Sequence, residues 1–299
     1  MQQHNLYIQR INLVMDYIRQ HVTDDLSLET LARVASFSPF HFHRIFKSIT
    51  GETLNQCVTR LRLERAAALL KTSPGISITE AAFACGFGSA STFSRAFKQH
   101  FGLTARAWDR QSALKDSKNR QVFEGFPQYT IENLSDVAEV GVFEVRLRDL
   151  PEQKLAYLRV MPSYQPERII GAYDRLIGWY QARGGTLAQT TLIGMSQDDP
   201  DITPLELCRY DWCLTIPDDW TGEGEISTRN FPACRVACIR CEGDIYQVDR
   251  AWQYLYRYWL PRSRYQPDNL PAMEIYHRQP VEIGWEQHEI DCAVPIVVL

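Results

Sequence analysis

The segment Ser27-Leu-Glu-Thr-Leu-Ala-Arg-Val-Ala-Ser-Phe37 recurs, altered but recognisable, as Ser77-Ile-Thr-Glu-Ala-Ala-Phe-Ala-Cys-Gly-Phe87. Ser27, Ala32 and Phe37 find their counterparts 50 residues on, in Ser77, Ala82 and Phe87. After one inserted residue the correspondence continues at an offset of 51, pairing Phe42, Arg44, Phe46 and Lys47 with Phe93, Arg95, Phe97 and Lys98, and both copies run on to a glycine, Gly51 and Gly102. A repeat at fixed spacing marks a duplicated structural unit. Each copy predicts a short helix capped by Ser27 or Ser77, a tight turn at Ser36-Phe37 or Gly86-Phe87, and a second helix opened by Ser38-Pro39 or by Ser89. The pattern is a helix-turn-helix, twice.

The second helix of each copy has two distinct faces. In the first, Phe42, Ile45, Phe46 and Ile49 recur at helical spacing and predict a core face, leaving Phe40, His43, Arg44 and Lys47 outward. In the second, Phe93, Ala96 and Phe97 face inward and Ala90, Ser91, Thr92, Arg95 and Gln99 outward. A DNA major groove about 12 Å wide admits such a helix, with Arg suited to guanine, His to guanine or a phosphate, and Phe to a thymine methyl. The smaller side chains of the second face predict fewer base contacts and more phosphate contacts. For one helix alone a merely solvated face is an equal alternative; two tandem copies in a cationic stretch favour DNA.

The chain of 299 residues predicts about two domains. Its net charge of −4 hides an asymmetry: residues 1–120 carry 16 Lys+Arg against 9 Asp+Glu, and residues 121–299 carry 16 against 27. The basic half suits a phosphate backbone and the acidic half does not. Between them residues 111–127 are polar without an apolar face and predict a linker, giving domains at 1–110 and 128–299. A 45% apolar, 23% charged composition excludes a disordered chain. No apolar run approaches the ~18–20 residues of a membrane span, and Met1-Gln2-Gln3-His4-Asn5 lacks the layout of a signal peptide, so a cytoplasmic protein without membrane partners is expected. The eight cysteines then predict reduced thiols.

Strand-like segments appear only in the second half. Leu155–Val160, a helix around 170–183, and strands at Thr191–Met195 and Arg209–Ile216 are followed by Cys234–Arg240, a helix around 248–260, and strands at Met273–Tyr276 and Glu289–Ile296. The predicted fold class is therefore multidomain: an all-α N-terminal domain with two helix-turn-helix units, and an α+β C-terminal domain of two βαββ repeats. A cleft between such halves is where a small ligand binds. Glu274, in a short apolar strand beside Tyr276, together with Tyr164, Trp212, Tyr256 and Trp259, predicts a pocket for a flat, lipophilic cation. The alternative is that these aromatics are core and Glu274 a strand-surface charge.

Cys238-Ile-Arg-Cys241, with Cys234 before it, has metal spacing on paper. Strand alternation puts Cys234 and Cys238 on one face and Cys241 on the other, so neither metal nor cofactor is expected. No His-Glu-x-x-His, Gly-x-Ser-x-Gly or glycine-rich phosphate loop occurs, and no catalytic residue is assigned.

Residues 1–110 resemble the AraC/XylS transcription regulators, through Leu31-Ala32, Ser38-Pro39-Phe40-His41-Phe42-His43-Arg44-Ile45-Phe46-Lys47, Thr50-Gly51, Ile78-Thr79-Glu80-Ala81-Ala82, Gly86-Phe87 and Thr92-Phe93-Ser94-Arg95-Ala96-Phe97-Lys98. The resemblance implies two recognition helices, joined by a connecting helix at about Leu54–Leu70, in successive major grooves. It implies base-facing roles for Phe40, His43 and Arg44 in the first unit and Ala90, Ser91, Thr92 and Arg95 in the second. Two departures stand out: Ser36 replaces the usual turn glycine, which predicts a strained turn, and Ala90-Ser91 replace longer polar side chains.

The order of the domains resembles the Rob-like subgroup. The C-terminal region is similar to GyrI-like effector-binding domains through Pro271-Ala-Met-Glu274-Ile-Tyr276 and Cys292-Ala-Val-Pro-Ile296, which implies that Glu274 meets a ligand's charge. Together these imply a transcription regulator, an activator rather than an enzyme, with promoter DNA, RNA polymerase and a small-molecule effector as partners. The rival expectations are a C-terminal protein-interaction module and a small-molecule hydrolase fused to a DNA-binding domain.

Overall fold

The computed structural model describes residues 2–73, 75–108, 143–200 and 202–298, leaving aside the side chains of residues 2–5, Phe40, Thr72, Arg257 and Pro261. The linker expected at 111–127 lies outside the described residues. The chain forms two compact units, one helical and one built on a sheet.

The helical unit contains α1 (Gln2–Gln20), α2 (Leu28–Val34), α3 (Pro39–Thr50), α4 (Leu54–Thr72), α5 (Ile78–Ala84) and α6 (Ala90–Phe101). The repeated serines are the caps: Ser27 accepts from Thr30 N, Ser38 from His41 N, Ser77 from Glu80 N and Ser89 from Thr92 N. Each satisfies one of the N–H groups that a helix leaves unpaired at its start. The repeated glycines close the second helices, with Gly51 at φ 79 and Gly102 at φ 77. The two turns match bond for bond, Phe37 N donating to Ala32 O as Phe87 N does to Ala82 O.

The connecting helix α4 starts at a Thr53–Gln56 capping box and carries the buried Arg60, which bonds Glu64 on α4 and Glu52 ahead of it. Phe42 and Phe46 pack with Ile11, Val14 and Ile18 of α1 on Leu31 and Ala32 of α2, while Phe93, Phe97, Phe101 and Trp108 form the corresponding aromatic core of the second copy. None of the described helices is long and apolar enough to cross a membrane.

The second unit is a nine-stranded antiparallel sheet. Its strands are β1 (Arg146–Leu150), β2 (Gln153–Val160), β3 (Leu192–Ser196), β4 (Tyr210–Thr215), β5 (Ser227–Phe231), β6 (Cys234–Gly243), β7 (Tyr265–Pro267), β8 (Ala272–Tyr276) and β9 (His288–Val298), in the order β1-β6-β9-β8-β3-β4-β2-β5 with β7 beside β9. Helices α7 (Pro166–Ala182), α8 (Ile245–Gln253) and the short α9 (Pro280–Ile283) accompany it. The expected strands are present. Three more, β1, β5 and β7, join them, and the single helix expected over 248–260 is α8 followed by a π-helical segment, Tyr254–Trp259.

Register places both long helices on one face of the sheet. A single cross-strand row runs Leu158, Trp212, Gly194, Glu274, Cys292, Ile239. Leu158 and Trp212 are covered by Tyr173, Leu176 and Tyr180 of α7, whereas Cys292 and Ile239 lie in the cluster with Val248 and Ala251 of α8. Because side chains in one row share a face, α7 and α8 flank the middle of that row. Gly194 and Glu274 occupy the floor between them. The opposite face buries Tyr157, Met195, Cys213, Met273 and Ala293 in a separate cluster.

Candidate functional site

In the helical unit the outward faces emerge as the spacing predicts. Phe42 and Phe46 are buried while His43, Arg44 and Lys47 are exposed, and an open depression of about 830 Å³ is lined by Leu28, Pro39, His43, Arg44, Lys47 and Ser48. The Phe40 side chain lies outside the described residues. On α6, Ser91, Thr92 and Arg95 are exposed and Ala90 is half-buried. Two of these are already engaged at the helix cap, since the Ser89 hydroxyl lies 3.1 Å from Ser91 Oγ and donates to Thr92 Oγ1 at 2.9 Å. The second face therefore presents Arg95 and Gln99 as its long donors, beside small side chains.

Ser36 adopts φ 53, the left-handed conformation that Gly86 holds at φ 80 in the other copy. Its carbonyl accepts from Arg10 Nη1 at 3.0 Å, and the Arg10 guanidinium lies 4.9 Å from the Phe37 ring centroid. The turn without glycine is thus held by α1.

In the sheet unit, Glu274 Oε2 accepts two phenolic hydrogen bonds, from Tyr210 at 2.7 Å and Tyr276 at 3.3 Å. Among the described residues these are its only hydrogen-bond partners, both on one oxygen, and neither is a cation. Burial together with the Glu274 charge pushes both phenols well above their usual pKa, so they remain neutral donors. Burial lowers the pKa of the His288 imidazole, opposed by Glu274 and Asp244.

Further aromatic rings pack against the two phenols that hold the carboxylate. Trp212 lies edge-on to Tyr210 at 5.2 Å, contacts Tyr276 at 5.3 Å, and continues to Tyr173 at 5.5 Å and Trp285 at 6.3 Å. The Trp212 indole donates to Ile169 O, and Tyr173 donates to Gln279 Oε1, so the cage is fixed at its polar edges. Gly194 makes the approach of Tyr210 to Glu274 possible: a Cβ there would collide with the Tyr210 phenol and stand 3.2 Å from Glu274 Oε2.

The structure thus brings together Glu274, Tyr276 and Trp212 of the expected set. Tyr256 packs on the α8-side cluster that Tyr276 also touches. Trp259 stacks on Tyr265 with centroids 6.0 Å apart, and Tyr164 is half-buried after β2. Gly194, Tyr173 and Trp285 were not expected, and neither was the bonding role of Tyr210. Alternation within β4, which sets Tyr210 and Trp212 on one face, was the available signal. Cys238 and Cys241 fall in clusters on opposite faces, as alternation predicts.

Two helix-turn-helix copies, and a sheet whose central carboxylate lies between two flanking helices among aromatic rings, define a helix-turn-helix protein with an appended α+β domain of the ligand-pocket type. Residues 143–297 match the model of the GyrI-like small molecule binding domain, and residues 31–111 that of a helix-turn-helix domain. The chain belongs to the GyrI-like family and carries an AraC-type helix-turn-helix domain ahead of that region.

Over 97 residues it is 37% identical to the HTH-type transcriptional activator RhaS of Enterobacter sp. (strain 638), covering 32% of this chain and 34% of RhaS. Over 94 residues it is 34% identical to the probable transcription factor PqrA of Proteus vulgaris, covering 31% of this chain and 76% of PqrA. The chain thus spans about a third of the length of the RhaS it matches. Among solved structures, the DNA-binding domain of the global transcriptional factor AdpA in complex with a target DNA is 31% identical, covering 33% of this chain and 89% of that one with a TM-score of 0.32.

Proposed function

We propose that the protein is a non-enzymatic transcription regulator, an activator, in which residues 1–110 bind promoter DNA and residues 128–299, joined through 111–127, bind a small lipophilic cation. On the DNA side, His43, Arg44 and Lys47 of α3, with Phe40, enter one major groove. Ala90, Ser91, Thr92 and Arg95 of α6 enter the next, and Arg44 and Arg95 are the guanine readers. The duplicated caps and turns at offsets of 50 and 51, the cationic half and the helix-turn-helix match support this reading. Activation through contact with RNA polymerase is the corresponding outcome; of the relatives, RhaS is named a transcriptional activator.

One observation carries the effector reading: among the described residues the Glu274 carboxylate is hydrogen-bonded to two neutral phenols on Oε2 and to no cation, beside a cluster of aromatic rings. A carboxylate in such surroundings costs free energy until a cation meets it, and ring faces add to the attraction for that cation. The order β2-α7-β3-β4 followed, after β5, by β6-α8-β7-β8-β9 supports two βαββ repeats, the second with the short β7 inserted, and a pocket between them.

The test selects DNA sites from a random pool with the full chain, then measures affinity across salt with and without tetraphenylphosphonium. Arg44→Ala and Arg95→Ala each weaken binding by about 1–3 kcal/mol and relax one base position, whereas Lys47→Ala weakens all sequences alike and lowers the salt slope by about 0.9. The cation changes affinity in the native chain and not in Glu274→Gln. DNA binding without any cation response in the native chain would sink the effector reading and leave the DNA reading standing.

A further inference from the structure

Cys241 of β6 and Cys292 of β9 lie on neighbouring strands, in the core cluster beneath α8, with their Sγ atoms 3.7 Å apart, and both are fully buried. Cys292 stands directly across from Glu274, and Cys241 across from Ile290, which in turn faces Tyr276. The pair adjoins the carboxylate site, but its bonds play no part in the bonds and ring contacts around Glu274.

The register argues against a disulfide. Cys241 and Cys292 are diagonal neighbours, whose Cβ atoms in a sheet stand up to ~7 Å apart, and a disulfide requires about 3.5–4.5 Å. Direct S–S closure would drag two central strands together. A third, thiophilic atom bonded to both sulfurs needs far less movement: two sulfurs at about 2.3 Å from one pyramidal centre are on the order of 3.4 Å apart, close to the 3.7 Å seen.

The surroundings select the kind of atom. The thiols are packed among Ile239, Ile290, Val248 and Val294, with the Glu274 carboxylate alongside. A metal cation held by two thiolates needs both thiols ionised there, and burial holds the Cys292 thiol well above its usual pKa. Among the described residues no group of three or more His, Cys, Asp or Glu is arranged to hold a metal ion. An uncharged metalloid hydroxide escapes both objections, because it condenses with neutral thiols and leaves a neutral product.

We propose that Cys241 and Cys292 form a binding site for a trivalent metalloid hydroxide of the arsenous acid type. The step balances without an oxidant: As(OH)3 and two thiols give a bis-thiolate arsenic hydroxide and two waters. Two As–O bonds break, two As–S bonds form, and each thiol proton leaves with a hydroxyl. The site is distinct from Cys234 and Cys238, which lie on the opposite face of the sheet.

The experiment incubates the full, reduced chain with arsenite in thiol-free buffer and reads intact mass and the arsenic X-ray absorption edge. One arsenic per chain with two sulfur neighbours and one oxygen is expected. Uptake is lost in Cys241→Ser and Cys292→Ser and kept in Cys238→Ser. No uptake, an arsenic with fewer or more than two sulfurs, or uptake surviving Cys292→Ser overturns the assignment. The native chain's sulfur count decides even if the serine variants fold poorly, and it needs no organic effector, so failure of the cation reading leaves it untouched.

Discussion

The Tyr210 phenol reaches across the bare backbone of Gly194 to hold Glu274 Oε2 at 2.7 Å. Strand β3 separates β4 from β8, so Tyr210 and Glu274 come from strands that do not touch, and the missing side chain on the strand between them is what lets them meet.

Gly194→Ala drives the phenol out of that bond. Tetraphenylphosphonium binding, read by tryptophan fluorescence, is expected to weaken at least about tenfold, equivalent to about 1.4 kcal/mol, with DNA affinity unchanged. Tyr210→Phe removes the same hydrogen bond without the collision, a bond to a charged group worth about 1.5–3 kcal/mol of stability.

In alkali the same phenols resist ionisation. Tyr210 and Tyr276 are raised well above the ordinary 10.0, so above pH 10 the unfolded chain releases protons that the folded chain retains. Their contribution to stability is full below pH 10 and is lost as pH rises toward their folded values. Absorbance at 295 nm is expected to show their ionisation only together with unfolding, and removal of the step in the Tyr210→Phe, Tyr276→Phe double variant checks the assignment.

The two turns respond oppositely to substitution. Ser36 pays for a left-handed conformation, so Ser36→Gly stabilises the helical unit by about 1 kcal/mol. Gly86→Ala keeps φ 80 and places a Cβ 2.8 Å from Val22 O and 3.0 Å from Arg62 Nε, whose own bond to Val22 O is 2.8 Å. It is expected to destabilise by more than about 1–2 kcal/mol. Denaturant unfolding of the full chain, followed by helix circular dichroism, measures both.

On the far face of the sheet, Asp211 is fully buried and takes a two-pronged bond from Arg159 at 2.7 and 2.8 Å, with Arg229 3.4 Å away and Gln197 donating at 2.8 Å. Asp211→Asn strips the counter-charge from buried guanidinium groups and is expected to cost about 3–5 kcal/mol in urea unfolding. A loss below about 1 kcal/mol shows that these cations do not depend on Asp211.

The amino-acid order alone marks the helix-turn-helix pair, its caps, its core faces and its outward residues. Each rests on contacts within a few residues, so periodicity and cap chemistry spell them out: Ser27 with Thr30, Ser89 with Thr92, Phe42 with Phe46. It also marked Glu274 and the main strands by alternation. It left out β1, whose Arg-Leu-Arg-Asp-Leu is largely exposed at the sheet edge, and the short β5 and β7. Strand pairing sets Gly194 between Trp212 and Glu274, makes Tyr210 the carboxylate's main donor and brings Cys241 to Cys292. Those meetings join residues 51 to 64 positions apart. They depend on strand order and register, which the sheet fixes through many pairings at once and which no local stretch of the chain encodes.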